Sequence, residues 1–224
     1  LNIEEDQLIQ MHINHLKKSY GTNRERKSEI RIFDDVDARK VVTRNQKLYM
    51  NKEEGFIGTS LRKDLLVCEC SDIDDIIVFT KDGKMQVVKV DTKVFVGKNI
   101  EYAAVFKKKD QRTIYNMIYK DGKGGSSLIK RFPVTSITRD KLYDLTNGKL
   151  LSNILYFSAN PNGEAEIVSV LLRQIGSIKK LKWDINFANV LVKGRSSKGN
   201  LVTKHAVKRI ELKEKGVSTL KPRK

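Results

Sequence analysis

Residues 74–90 read DDIIVFTKDGKMQVVKV, and the fold turns on how that stretch is read. Ile76, Ile77, Val78 and Phe79 form a short β-branched and aromatic run that meets a turn at Lys81, Asp82, Gly83 and Lys84. A second apolar run, residues 85–90, leaves the turn. Asp-Gly between two such runs signals a β-hairpin, because the turn needs positive φ angles that Gly and Asp or Asn adopt readily. Residues 114–132 (IYNMIYKDGKGGSSLIKRF) repeat the pattern around Asp121-Gly122. Residues 154–172 (ILYFSANPNGEAEIVSVLL) are read the same way around Asn162-Gly163, and residues 188–207 around Lys198-Gly199. A weaker copy at 40–52 (KVVTRNQKLYMNK) has its turn at residues 44–47. Gly83, Gly122, Gly163 and Gly199 recur at a period of about forty, which points to propeller blades or a related radial array of antiparallel sheets.

After each hairpin a further apolar strand is expected: residues 65–68, 102–106, 150–151 and 183–187. The result is an all-β fold of about five modules, at 39–63, 64–99, 100–140, 141–178 and 179–212. Runs such as IIVF, apolar without alternation, belong to strands covered on both faces. Ahead of the modules, Ile9, Ile13, Leu16 and Tyr20 fall at helical spacing and Gly21 stands where a C-cap belongs, so a helix is predicted to end near Tyr20. Residues 22–31 read as a charged connector, and residues 213–224 as a basic tail or the start of a further module.

Lys and Arg number 44 against 27 Asp and Glu, a net charge of +17 in 224 residues. A polyanion is the first physical explanation for such an excess. Residues 179–224 hold 14 Lys and Arg against 3 Asp and Glu. No apolar stretch reaches the roughly 20 residues that span a bilayer, and no signal peptide opens the chain, so a cytoplasmic protein with no membrane partner is expected. Cys68 and Cys70, two apart on a predicted strand, suit neither a disulfide nor a metal pair.

Candidate chemistry is sparse. Asp72, Asp74 and Asp75 suit a turn better than a cation loop, and residues 122–127 lack the order of a phosphate-binding P-loop. His12, His15 and His205 have no partner pattern, and no nucleophile–base arrangement can be nominated. Neither a metal nor a cofactor is expected in this chain, and it is read as non-catalytic. The basic groups are different, because they recur from module to module. The candidate DNA contacts are Lys107, Lys108, Lys109 and Arg112; Lys120, Lys123, Lys130 and Arg131; Lys179 and Lys180; Lys193, Arg195 and Lys198; and Lys204, Lys208 and Arg209. Few aromatics interleave them, which favours backbone contacts on duplex DNA over stacking on single strands. The alternative is a protein-interaction propeller that grips an acidic partner.

The stretch HLKKSYGTNRERKSEIRIFDDVDARKVVT, residues 15–43, resembles the junction that leads into the C-terminal domain in the A subunit of bacterial type IIA topoisomerases. Tyr20-Gly21, Arg24, Arg26 and Glu29-Ile30 carry that resemblance, and the hairpins at 74–90 and 116–132 are similar to the domain's blade hairpins. The resemblance implies a β-pinwheel of four-stranded blades that exchange strands with their neighbours, with a basic rim that bends or wraps duplex DNA. It divides the chain into the end of a breakage-reunion region (1–37), the pinwheel (38–212) and the tail (213–224). It implies a full-length ATP- and Mg-dependent type II topoisomerase, in which an A-subunit homodimer joins two ATPase B subunits. The catalytic tyrosine and the ATPase belong to regions outside this chain. Gyrase's basic box falls where this chain reads NKEEGFIGTS, residues 51–60, so the resemblance favours topoisomerase IV over gyrase.

Overall fold

The structure, a computed structural model, describes residues 2–21, 46–176 and 178–220. It separates into two compact units, residues 1–42 and 43–224. In the first, α1 (Asn2–Tyr20) carries Glu4 and Glu5 in its first turn and Lys17 and Lys18 in its last, each sign placed where the helix dipole favours it. Gly21 closes it by donating its N–H to the Lys17 carbonyl at 2.9 Å. The connector expected at 22–31 and the turn residues Arg44 and Asn45 lie outside the described residues.

The second unit is antiparallel β. Its strands are β1 (Gln46–Asn51), β2 (Phe56–Gly58), β3 (Leu65–Cys70), β4 (Asp75–Thr80), β5 (Lys84–Lys89), β6 (Val94–Phe95), β7 (Ile100–Phe106) and β8 (Ile114–Lys120). They continue with β9 (Ser127–Pro133), β10 (Tyr143–Asp144), β11 (Asn153–Asn160), β12 (Ile167–Leu172), β13 (Lys182–Asn186), β14 (Asn200–Thr203) and β15 (Val207–Glu214). The described residues form four sheets, with strand orders β3-β1-β2-β6, β10-β5-β4-β7, β11-β8-β9-β14 and β13-β12-β15.

One rule links them. After a first unit in which β2 and β3 flank β1, each later unit runs as a first strand, an antiparallel partner, a strand given to the preceding sheet, and a return strand beside the first. Thus β4 and β5 pair, β6 crosses to β2 of the first sheet, and β7 returns to β4. The next unit repeats this with β8 and β9 paired, β10 given to β5 and β11 returning to β8. In the last, β12 and β13 pair, β14 goes to β9, and β15 returns to β12.

The rule corrects several sequence expectations while keeping the fold class. The first hairpin turns at Glu53, Glu54 and Gly55, and the expected module 64–99 is divided: β3 and β6 complete the sheet begun by β1 and β2 of module 39–63, while β4 and β5 belong to the second sheet. Gly55 (φ 82°) therefore matches Gly83 (φ 78°) and Gly122 (φ 83°). The turn expected at residues 44–47 falls one strand too early, since Gln46 and Lys47 lie in β1. Gly163 does not turn a hairpin, since β11 pairs with β8 and β12 with β13 and β15. Residues 188–199 are not a strand opposite β14, and Leu150 and Leu151 lie in a loop.

Burial follows the same scheme. Ile76, Ile77, Val78 and Phe79 are all 0% exposed, because both faces of β4 are covered. Ile76 and Val78 pack with Leu48, Met50 and Ile57 of the first sheet, while Ile77 and Phe79 pack with Tyr115, Met117 and Phe132 of the third. A smaller cluster, Ile118, Ile129, Val168 and Phe187, joins the third sheet to the fourth.

Candidate nucleic-acid interface

Strand exchange puts two kinds of connection at one end of the sheets. Hairpin tips leave the C-terminal ends of β1, β4, β8 and β12. The crossing loops β6–β7, β10–β11 and β14–β15 arrive at the same end, as the partners Thr80↔Ile100, Lys120↔Asn153 and Leu172↔Val207 require. Charge collects there. The tip of the first sheet carries Lys52, Glu53 and Glu54, and that of the second Lys81, Asp82 and Lys84, with Lys98 beside them. The third carries Lys120, Lys123 and Lys149. At the fourth stand Lys179, Lys180, Lys182, Lys204, Lys208 and Arg209, all exposed. Of these, Arg209 is paired with Glu211 at 3.2 Å.

Between the second and third tips lies a cleft of about 610 Å³ whose lining includes Lys81, Lys84, Lys120, Lys123 and Lys149 against one carboxylate, Asp82. Lys84 pairs with Asp144 at 2.5 Å and Lys149 with Asp121 at 2.9 Å. Burial pushes the Asp121 carboxyl up, but hydrogen bonds from Lys149 and Asn147 and the charges of Lys149 and Lys198 outweigh it and hold the group below the usual range. Asp144 is held down against burial in the same way by Lys84 and Thr146. Lys81, Lys120 and Lys123 have no carboxylate partner among the described residues. The sequence pattern singles out Lys120 and Lys123 but misses Lys81, Lys84 and Lys149. The Lys-Asp-Gly-Lys turn itself is the signal that could have found the first two.

The remaining candidates fall elsewhere. Lys107, Lys108 and Lys109 are exposed at the opposite end, in the β7–β8 loop, where Asp110 accepts hydrogen bonds from the Arg112 and Thr113 amides at 2.8 and 3.4 Å. Lys193, Arg195 and Lys198 sit on a bulge between two contacts with β9, a parallel bridge Arg131↔Val192 and the pair Asn200↔Ile129. Arg195 donates to the Ser136 carbonyl at 2.6 Å and lies 4.4 Å over the Tyr143 ring.

Lys130 and Arg131 must be withdrawn from the surface set, being 2% and 1% exposed. The Lys130 ammonium fills the inside of the bulge, donating to the carbonyls of Leu145, Arg195 and Ser197 at 2.5, 2.7 and 3.1 Å. Burial pushes it down to about 8, with the Asp144 charge pulling the other way. Arg131 points between the third and fourth sheets. Its guanidinium donates to Asn116 Oδ1 at 2.9 Å, to the Phe187 and Gly163 carbonyls at 3.3 and 3.0 Å, and to Thr219 Oγ1 at 3.1 Å. Burial lowers its proton affinity and the Glu166 charge raises it. A basic residue in a run such as Leu-Ile-Lys-Arg-Phe reads as surface charge unless the second covering sheet is known.

The acidic turn is used structurally: Asp74 accepts from the Ser71 amide at 2.9 Å within the turn, and Asp75 pairs with the distant Arg139 at 2.8 Å. Among the described residues no group of His, Cys, Asp and Glu is placed to hold a metal ion, and no helix is long and apolar enough to cross a membrane.

A family model described as "Topoisomerase C-terminal domain, Bacteroidota" matches residues 47–215. The chain is 27% identical over 202 residues to the A subunit of DNA topoisomerase 4 from Borreliella burgdorferi, a match that covers 90% of this chain and 30% of that protein. The chain thus spans under a third of that relative's length. Among solved structures, the C-terminal domain of DNA topoisomerase IV superposes with a TM-score of 0.51 at 11% identity, covering 74% of this chain and 60% of the other. At that identity the likeness speaks for the fold, a β-pinwheel.

Proposed function

The chain belongs to the family of topoisomerase C-terminal domains of the Bacteroidota, and from that membership we propose that it holds and bends duplex DNA for the A subunit of a type II topoisomerase. One observation carries the reading: hairpin tips and crossing loops share one end of the sheets, and three successive tips there are rich in lysine. A duplex laid across the second, third and fourth tips meets Lys81, Lys84, Lys120, Lys123, Lys149, Lys179, Lys180, Lys204 and Lys208 in turn. Lys107, Lys108, Lys109 and Arg112 lie away from that row at the opposite end, and Lys193, Arg195 and Lys198 on the bulge beside β9. The first tip, with Glu53 and Glu54, repels phosphate, which favours a bend along part of the tip row over a closed wrap.

In this reading the chain supplies DNA affinity and no bond-breaking group. Cleavage, ATP and Mg belong to the rest of an A-subunit homodimer and its two B subunits, in a cytoplasmic, nucleoid-associated enzyme.

The test is salt-dependent binding to unrelated duplexes. If about six phosphates are neutralised, log K should fall against log salt with a slope near −5, from about 0.9 ions released per contact. Reversing Lys179, Lys180 and Lys208 to Glu should weaken binding far more than reversing Lys17 and Lys18. A flat slope, or no duplex binding near ~50 mM salt, would move the charge to an acidic protein partner.

A further inference from the structure

The loop from β10 to β11 ends in two leucines that the fold does not use. Leu150 is 88% exposed and Leu151 70%. They form part of the wall of the basic cleft, beside Lys81, Lys84, Lys120, Lys123 and Lys149. Apolar side chains offered to water are ordinary when isolated; an adjacent pair beside five lysines is not.

The pair is also held in place. On one side the Leu145 N–H donates to the Gly83 carbonyl at 2.9 Å, and on the other the Ile154 N–H donates to the Lys81 carbonyl at 2.7 Å. Ser152 Oγ accepts from the Gly122 N–H at 3.0 Å and donates to the Lys149 carbonyl at 2.8 Å, tying the loop to the third tip. Lys149 is anchored to Asp121 at 2.9 Å. Leu151 itself has φ 63°, the left-handed region that glycine or asparagine enters at less cost. A γ-branched apolar residue there is strained without any packing to offset it, and such strain concentrates at functional positions.

We propose that Leu150 and Leu151 form a wedge that enters between base steps of a duplex whose phosphates the cleft lysines hold. The inference rests on the DNA-binding reading above and adds to it a cause for bending. Apolar side chains inserted from the minor groove unstack a step and kink DNA away from themselves. Flanking cations are needed to hold the backbones while this happens, and the cleft supplies them within one loop of the leucines. Pyrimidine–purine steps, the easiest to unstack, should be preferred without base-specific hydrogen bonds.

The test uses the whole chain and a set of duplexes, each with 2-aminopurine at one TA or CA step and donor and acceptor dyes at its ends. Binding should raise 2-aminopurine emission several-fold at one or two steps and bring the ends together. Leu150→Ala with Leu151→Ala should abolish the emission change and most of the bend, with affinity reduced by up to about tenfold. Leu150→Met should keep both, and Leu142→Ala, exposed outside the cleft, should change neither. Duplex binding with no emission change at any step, or a double variant that still unstacks and bends, overturns the wedge and leaves DNA binding standing. Failure to bind any duplex overturns the reading it rests on. Leucine-dependent capture of anionic lipid vesicles in place of duplex assigns the pair to a membrane surface and overturns the wedge.

Discussion

Strand β8 works on two faces, and the two contacts it makes are unlike. Toward the second sheet, Tyr115 joins an aromatic cluster in which the Phe79 ring lies 4.7 Å from Tyr115 and 4.6 Å from Phe157. Toward the fourth, Asn116 opens a polar network: it accepts from Arg131 at 2.9 Å and donates to Glu166 at 3.3 Å, and Tyr156 donates to the same carboxylate at 3.0 Å. The first contact gains from area and shape, which many apolar arrangements satisfy. The second is satisfied only when Gly163, Phe187 and Thr219, from three separate segments, converge on one guanidinium. The difference suggests a division of labour: the apolar contact supplies stability, and the polar one fixes how the last unit is seated.

The largest effect should come from the apolar side. Phe79→Ala removes a fully buried ring and leaves a cavity among three others, which should cost about 3–5 kcal/mol in urea unfolding. A loss below about 2 kcal/mol would mean that this contact is loosely packed and the contrast false. Arg131→Met comes next. It keeps much of the volume but leaves Asn116 Oδ1 without its Arg131 donor and the buried Glu166 without its compensating charge. The Phe187 and Gly163 carbonyls keep the Val190 and Thr219 donors, and the expected loss is about 2–4 kcal/mol. Its signature is location. Amide exchange should speed up in β12, β13 and β15 well before β4 and β5, whereas a uniform change would show that Arg131 does not seat the fourth sheet.

Lys130 gives a third test, through pH. Its folded value of about 8 lies below the ordinary lysine value of 10.5, so folding favours release of its proton. The cost of burying the charge is therefore fully present below pH 8 and is relieved as pH rises toward 10.5. Relative to Lys130→Met, the parent chain should gain about 2 kcal/mol between pH 7 and 9.5. A parent that loses ground over that window would show that the three carbonyls hold the ammonium charged more strongly than burial opposes it.

The two contacts also mark what can be read without coordinates. The run IIVF announces its own environment, since four apolar residues in succession need cover on both faces. Gly83 and Gly122 mark true hairpin tips because the turn chemistry is local. Gly163 looks equivalent in sequence but links strands of different sheets; strand exchange depends on pairings dozens of residues apart, which a period of about forty cannot reveal. The site divides in the same way. Lys123, Lys179 and Lys180 are legible as exposed residues between strands, and Lys120 as the half-buried residue that ends β8. Lys130 and Arg131 are not, because a cation in a strand looks alike whether it meets water or a ring of carbonyls. Leu150 and Leu151 suggest a strand by hydrophobicity alone, and only their exposure makes them candidates for contact.

The smallest effect tests whether the apolar contact is as free of polar dependence as the comparison holds. Tyr119 belongs to the aromatic face of β8 and is 0% exposed, yet its hydroxyl donates to the Lys198 carbonyl at 2.7 Å, on the bulge that displays Lys193, Arg195 and Lys198. Burial, helped by Asp121 and Asp144, pushes the phenol up to about 12, so it remains a donor across the working range. Tyr119→Phe keeps the ring and removes only the oxygen. Lys198 is exposed, so water can reach the abandoned carbonyl, and the loss should be about 1 kcal/mol and not the full penalty of a buried orphan. Exchange should quicken at the amides of residues 195–199 and stay nearly unchanged in β4 and β8. Because Lys130 holds the same bulge from beneath, the double variant with Lys130→Met should show a coupling of roughly 0.5–1 kcal/mol. A loss of about 3 kcal/mol or more for Tyr119→Phe alone, comparable to a core truncation, would mean that the aromatic contact leans on a single polar bond, and the division between the two faces of β8 would fall.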